Sequence, residues 1–287
     1  MTVKKAIIPC AGFGTRFLPL TKVVPKELLP IADLPSLSHI VEEAANSGIE
    51  EVLIVLSPQK MGIKKLFAPN RSLNKLLKSR GDKEAYALAN KDYGVKIEYV
   101  VQREMNGNGM AVRLGKSFAD GEPVAVLFGD DVIYTSDGEP VTKQLINAFE
   151  RTGGASIIGC QRKPEEIARR CGVMMIDEAV DEKLTKINGI VEKPKAELPS
   201  NLVSLGRFVL SPEIFDAIDK APQKDGEVYL TDAINLLAKV GKAYALDFDG
   251  RRYDIGNKVG YLEAVVEYAL RDEKLHEPFK NFLDGIE

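Results

Sequence analysis

Residues 9–30 read Pro-Cys-Ala-Gly-Phe-Gly-Thr-Arg-Phe-Leu-Pro-Leu-Thr-Lys-Val-Val-Pro-Lys-Glu-Leu-Leu-Pro and follow directly on the apolar run Ala6-Ile7-Ile8. The string predicts a buried strand that empties into a glycine-bearing loop carrying Arg16, Lys22 and Lys26. Gly12 and Gly14 allow positive φ and let the backbone come close to a ligand with no Cβ in the way. Successive N–H groups in such a loop form an anion nest, to which the cations add charge. A phosphate-rich ligand is the expected guest. Pro19, Pro25 and Pro30 fix φ and remove donors, so the segment is expected to be extended and stiff, not helical. Two familiar glycine signatures are excluded. No Gly-Lys-Ser/Thr closes the loop, and no third glycine opens a helix after it.

Beyond the loop, strand-like runs alternate with helical ones. Val3–Pro9, Val52–Leu56, Val95–Val101, Val124–Phe128 and Ala155–Cys160 are continuous apolar runs. Leu37–Asn46, Met110–Ala119 and Val141–Arg151 show helical spacing, with Leu37, Ile40, Val41, Ala44 and Ala45 on one stripe and Gly48 placed to end it. A charged, mostly helical stretch runs from Lys60 to about Lys91. Buried strands alternating with helices predict a doubly wound, mainly parallel α/β sheet. The second half changes texture. Val173–Ile176, Leu184–Glu192, Leu202–Leu210 and Ala243–Phe248 read as closer-spaced strands, mixed with helices at Pro212–Lys220 and Leu230–Val240. They predict a mixed β region over the substrate. Lys258–Asp272 reads as an amphipathic helix with Leu262, Val265, Val266, Ala269 and Leu270 on its apolar face. One domain over residues 1–287 is expected.

In open α/β sheets, ligands sit at the carboxyl ends of the strands where strand order reverses. Those ends carry the Gly12 loop, Gln102, Asp130-Asp131, Glu192-Lys193 and Asp254. A carboxylate pair closing an apolar strand is either a metal site or a capped turn, because charge at a buried strand end is costly unless paired or coordinated. Beside a phosphate loop, Mg²⁺ is the expected ion, since it takes one or two carboxylates plus phosphate oxygens and water. Val191-Glu192-Lys193-Pro194 ends another strand, and taken alone it reads as an exposed ion pair before a turn.

The string from Gly12 to Pro30 resembles the sugar-1-phosphate nucleotidylyltransferases. Its Pro-Lys-Glu-Leu-Leu-Pro ending is most similar to the bacterial UTP–glucose-1-phosphate uridylyltransferases. The resemblance extends through five ordered strings to about Arg271, including Arg252-Tyr253-Asp254-Ile255-Gly256 and Gly226-Glu227-Val228-Tyr229-Leu230-Thr231-Asp232. It implies a Rossmann-like nucleotidyltransferase fold, with a nucleotide-binding half to about residue 135 and a sugar-binding half from about 136 to 287. The implied reaction is transfer of UMP from UTP to glucose 1-phosphate, with UTP and the sugar phosphate as partners. Ala11, Gly12, Gly14, Thr15, Gln102, Gly107, Asp130 and Asp131 are implied to hold the nucleotide, and Arg16, Lys26 and Lys193 to be catalytic. Gly172, Glu192 and Lys193 are implied at the sugar, and Asp130 and Asp254 as ligands to Mg²⁺. Asp232 is expected to support or cap from its helix start. The usual base-reading segment is close to Pro-Leu-Gly-Leu-Gly-His-Ala, whereas this chain has Met105-Asn106-Gly107-Asn108-Gly109-Met110-Ala111. Rival expectations are a thymidylyltransferase, another sugar specificity, or a non-catalytic paralogue that binds nucleotide sugar.

Composition sets the outer limits. At 287 residues with 45% hydrophobic and 28% charged content, the chain has the make-up of a globular protein able to bury a large core. A net charge of −3 argues against nucleic acid as a partner and leaves anionic substrates to local cations and a metal. Cys10, Cys160 and Cys171 have no metal-type spacing, and an odd count suits a reducing compartment. No apolar run suits a signal sequence or a membrane span. A cytoplasmic setting is therefore expected. A homo-oligomer, dimer or tetramer, is a separate expectation that composition does not supply. His39 and His276 lie far from every string and are expected at the surface or in caps.

Overall fold

The computed structural model describes residues 2–136 and 138–286. In chain order its principal strands are β1 (Lys5–Pro9), β2 (Glu51–Leu56), β3 (Lys96–Val101), β4 (Val124–Leu127), β5 (Asp131–Tyr134) and β6 (Ser156–Arg162). They continue with β7 (Gly172–Ala179), β8 (Leu184–Glu192), β9 (Leu202–Leu210), β10 (Ala243–Asp247) and β11 (Arg251–Asp254). Nine of these form one sheet in the order β3-β2-β1-β4-β9-β6-β10-β8-β7. The four strands at the β3 edge are mutually parallel. Beyond them β9 runs antiparallel to both β4 and β6, and β10 returns parallel to β6. The β7–β8 hairpin closes that edge. The expected doubly wound sheet is thus parallel in its first half and mixed in its second.

The apolar runs are continuous because both sheet faces are covered. Alternate residues of a strand point to opposite faces. Ala6 and Ile8 accordingly enter one core with Val52, Ile54 and Leu127, while Ile7 enters the other with Leu53, Val55 and Val126. Helices Ser36–Asn46 and Val141–Arg151 cover the first face through Leu37, Ile40, Val41, Leu145 and Phe149. Helices Ile214–Lys220 and Leu230–Ala238 cover the second through Ile214, Phe215, Ala233 and Ile234.

Several local expectations change. The loop after β1 is not extended: it winds through three 3₁₀ turns at Thr15–Phe17, Leu20–Lys22 and Lys26–Leu28. The φ that proline fixes suits such turns as well as an extended chain. The 60–91 stretch divides into a 3₁₀ segment and two short helices, which Asn70 and Asp82 cap by accepting from Leu73 N and Ala85 N. In the helix Lys258–Arg271, Leu262 faces outward at 59% exposure. The inner face carries Ala264 and Ala269, with Tyr261 and Tyr268 packed on the core. The tyrosine rings supply the apolar stripe that an aliphatic count assigns to leucine and valine.

Candidate active site

The chain leaves β1, builds β2 and β3 on one side, then crosses to β4 on the other. Strand order therefore reverses between the carboxyl ends of β1 and β4, where a crevice opens. The loops from those two ends touch, with Gly129 N donating to Pro9 O over 3.4 Å. Gly129 is required there: a Cβ would lie 2.6 Å from Cys10 Sγ and 3.0 Å from Pro9 O. Cys10 is buried and its thiol is pushed well above its usual range by that burial, which makes it packing and not a nucleophile.

A cleft of about 290 Å³ lies at this point, lined by Ala11, Gly12, Lys26, Gln102, Gly107, Asn108, Asp130 and Glu227 among others. Lys26 Nζ meets Asp130 Oδ2 at 2.5 Å. Burial works against the charge on Asp130, yet Lys26 outweighs it and holds the carboxyl below its usual value. The same exchange, with Glu27 adding to Asp130, holds the Lys26 ammonium above its usual range. Beneath them, Lys60 Nζ donates to both carboxylate oxygens of Glu27 at 2.7 and 2.8 Å, in a pair that is 5% and 1% exposed. Glu27 lies in a quoted string, but nothing in the sequence marks Lys60 as its partner.

Asp130 and Asp254 meet through a feature the sequence does not announce. The chain turns after Asp130 and resumes as β5, which pairs antiparallel with β11 so that Asp131 stands opposite Asp254. Ile255 N donates to Asp130 O at 3.0 Å, and Gly256 N donates to Asp254 Oδ1 at 3.0 Å. Both carboxylates converge on Gly256: a Cβ there would fall 2.9 Å from Asp130 Oδ2 and 3.0 Å from Asp254 Oδ1. Arg16 closes the same corner, its Nη1 donating to Gly256 O at 3.4 Å.

Asp131 is a correction. Asp131, the first residue of β5, does not line the cleft and is buried against Arg252, whose Nε donates to Oδ1 at 2.6 Å. Burial, with Asp130 and Asp254 close by, pushes its carboxyl up to about 6 against the pull of Arg252. Arg207, wholly buried, donates to Asp131 O at 2.6 Å and is itself paired to Glu43 at 2.7 Å. The aspartate therefore braces the turn that presents Asp130. Gly14 and Thr15 flank the cleft without lining it. Gly14 takes φ +68°, and its carbonyl accepts from Thr21 Oγ1 at 2.9 Å.

Gln102 and Gly107 do line the cleft. Gly107, at φ +103°, presses on the strand before Leu230, and a Cβ would fall 2.3 Å from Val228 O. Asn108 Oδ1 accepts from Leu230 N at 2.9 Å. The 105–111 segment is thus docked on the Gly226–Asp232 string, and Asn108 satisfies a backbone donor at the start of that helix. Asp232 does not cap; it accepts from Lys224 Nζ at 2.6 Å.

Gly172, Glu192 and Lys193 form a second group at the end of the β7–β8 hairpin, outside the cleft lining. Gly172 stands opposite Glu192, and its missing Cβ would lie 3.1 Å from Glu192 Oε2. Burial, with Asp232 nearby, raises the Glu192 carboxyl, while Lys193 opposes the shift. Lys193 takes φ +45°, and its N–H donates to Cys171 O at 3.0 Å. The Cys171 thiol is raised mainly by burial, against the pull of Arg252. His39, next to Ile31 and Tyr268, and His276, bonded to Leu270 O, belong to neither group.

The chain belongs to the nucleotidyl transferase family, whose profile matches residues 5–271. Among named relatives, UTP–glucose-1-phosphate uridylyltransferase 2 of Staphylococcus saprophyticus is 43% identical, the match covering 99% of this chain and 98% of that protein. The UTP–glucose-1-phosphate uridylyltransferase of Staphylococcus epidermidis is 42% identical with 99% of each chain covered. Among solved structures, a UTP-bound UGPase from Acinetobacter baumannii superposes with a TM-score of 0.93 at 31% identity, covering 100% of both chains. A UDP-glucose pyrophosphorylase complexed with UDP-glucose gives a TM-score of 0.83 at 34% identity, covering 94% of this chain and 100% of that one.

Proposed function

We propose that the protein transfers UMP from UTP to α-D-glucose 1-phosphate, giving UDP-glucose and pyrophosphate. The observation that carries the reading is the meeting of Lys26 Nζ with Asp130 at the strand-order reversal, where Asp254 converges on the same carboxylate. The named relatives and the two complexes support the choice of substrates.

The reaction is an in-line displacement. An oxygen of the sugar phosphate attacks the α-phosphorus of UTP, and the bond to the bridging oxygen breaks, its electron pair leaving with pyrophosphate. No general base is required, because a phosphate monoester with a second pKa near ~6 arrives ionised. What remains is positioning and charge neutralisation. Arg16 and Lys26 take the triphosphate and the developing charge on pyrophosphate, with the Gly12 loop against its oxygens. Gln102 and Gly107 hold the base. Lys193 aligns the attacking phosphate, and Glu192 with the Gly172 backbone takes the sugar hydroxyls. Asp130 and Asp254 would hold Mg²⁺, since two carboxylates facing one gap suit an ion that completes its shell with phosphate oxygens and water. Bound there, the ion supplies charge neutralisation at the α-phosphate. Residues to about 135 thus carry most of the nucleotide contacts and the remainder the sugar contacts, with Asp254 crossing over to the metal. A reducing, cytoplasmic setting suits the three free thiols.

Pyrophosphate release measured over a panel of UTP, dTTP, CTP and ATP against glucose, galactose and N-acetylglucosamine 1-phosphates tests the reading. UTP with glucose 1-phosphate is expected to give the highest kcat/KM. A higher value for dTTP or for another sugar phosphate would replace it.

A further inference from the structure

We propose that Asn235 is a positioning residue for the sugar-phosphate end of the site, pinning the strand just before Glu192 and Lys193 to the helix Leu230–Ala238. The inference rests on the reading of Glu192 and Lys193 given above.

β8 pairs with β10 only from Leu184 to Lys186, with Lys186 opposite Tyr244, next to the end of β10 at Ala243. Past that point the edge of β8 that faced β10 has no strand to bond to, while its other edge stays paired with β7, Ile190 opposite Met174. Ile190 is 4% exposed, and buried backbone N–H and C=O groups need partners. Asn235 supplies both. Its Oδ1 accepts from Ile190 N at 2.6 Å, and its Nδ2 donates to Ile190 O at 3.0 Å. A side-chain amide carries an acceptor and a donor together, so it stands in for the missing strand. Gly189 makes room for it, since a Cβ there would lie 2.9 Å from Asn235 Oδ1.

The pin sits in register with the site. Asn235 lies one helical turn beyond Thr231, and residues four apart share a helix face. Thr231 lies against the Glu192 carboxylate, with Asp232 nearby. Four residues of helix rise about 6 Å and two of strand about 6.6 Å. Asn235 against Ile190 and Thr231 against Glu192 are therefore in step, and the amide fixes where Glu192 and Lys193 leave the sheet. The nucleotide segment docks elsewhere on the helix, through Asn108 on Leu230 N. Loss of the Asn235 amide is thus felt at the sugar phosphate and not at the nucleotide.

The test compares N235L with the wild type in steady-state rates of pyrophosphate release at varied glucose 1-phosphate and at varied UTP. Leucine keeps the bulk of asparagine but neither accepts nor donates. Expected is a KM for glucose 1-phosphate raised about tenfold or more, with the KM for UTP within about threefold of wild type. L237A removes packing from the same helix and leaves the amide in place, so it should keep the ratio of the two KM values. A melting curve checks that each variant is folded, and N235A gives the same readout if N235L is not. An unchanged KM for glucose 1-phosphate, an equal rise in both KM values, or the same split in L237A overturns the proposal. If the wild type releases no pyrophosphate from these substrates, the proposed reaction fails on its own account. Hydrogen exchange over residues 188–193 then tests the pin separately: faster exchange confined to that end of β8 in N235L supports it, and exchange unchanged there or faster throughout the protein overturns it.

Discussion

Lys26 and Asp130 are each other's counter-ions, Nζ to Oδ2 at 2.5 Å, although 104 residues separate them in sequence. One comes from the loop after β1 and the other from the turn after β4, so the ion pair spans the point where strand order reverses. With no substrate bound, it neutralises two charges that burial would otherwise penalise. On the proposed reading, a triphosphate would compete for the ammonium and a divalent cation for the carboxylate. Substrate entry would thus exchange one set of neutral pairings for another.

Replacing Lys26 tests this exchange. Lys26→Ala removes both the phosphate contact and the partner of Asp130, and the forward kcat/KM is expected to fall by about 10²–10³ or more. Lys26→Arg should recover only a part, since a planar fork does not reproduce the contact of a compact ammonium. Steady-state rates at varied UTP check both. A loss under about fivefold in Lys26→Ala would remove the residue from the chemistry.

Gly256 guards the gap between Asp130 and Asp254. Its φ lies outside the left-handed region, so alanine is tolerable to the backbone, but the added methyl would fall within 3.0 Å of both carboxylates. Gly256→Ala is expected to fold and to need at least about tenfold more Mg²⁺ for half-maximal rate, because the ion's place is narrowed. Velocity against free Mg²⁺ at fixed UTP reads this directly. An unshifted curve would place the metal elsewhere.

The Glu27–Lys60 pair is expected to support the loop and not the chemistry. Lys60→Met strands a carboxylate that is 1% exposed, and breaking a buried pair in this way costs about 3–5 kcal/mol. Chemical denaturation should show that loss, with much of it recovered in Lys60→Met/Glu27→Leu, where no charge is left behind. If Lys60→Met costs under about 1 kcal/mol, water reaches the pair.

Lys193 combines a positive φ of +45° with a following proline, a conformation that a side chain rarely takes. Strain of this kind persists where function requires it. Lys193→Gly should therefore stabilise the protein by about 0.5–1 kcal/mol while raising KM for glucose 1-phosphate and lowering kcat. Lys193→Ala should lose activity without the gain in stability. Wild-type kinetics in Lys193→Gly would reduce the residue to a solvated turn position.

Much of this arrangement is legible in the sequence because local rules set it. Ile7, flanked by Ala6 and Ile8, predicts a strand buried on both faces, and the two cores bear that out. Glycines and cations on one loop predict an anion site, and Gly12 and Lys26 line the cleft. What sequence conceals depends on long-range pairing. Asp130 and Asp131 read as one carboxylate pair, but Asp130 stays in the turn while Asp131 opens β5, where Arg252, 121 residues away, claims it. Lys60 lies in a polar stretch whose spacing says nothing of Glu27. Asn108 departs from the usual leucine, and only its bond to Leu230 N shows why a polar side chain suits the place.

The most direct test follows UTP and glucose 1-phosphate with the purified protein and Mg²⁺ by phosphorus NMR. UDP-glucose and pyrophosphate are expected to appear in equal amounts, with no inorganic phosphate, and excess EDTA should stop the reaction. Release of inorganic phosphate without UDP-glucose, or turnover undiminished by EDTA, would contradict metal-assisted UMP transfer at the Asp130–Asp254 corner.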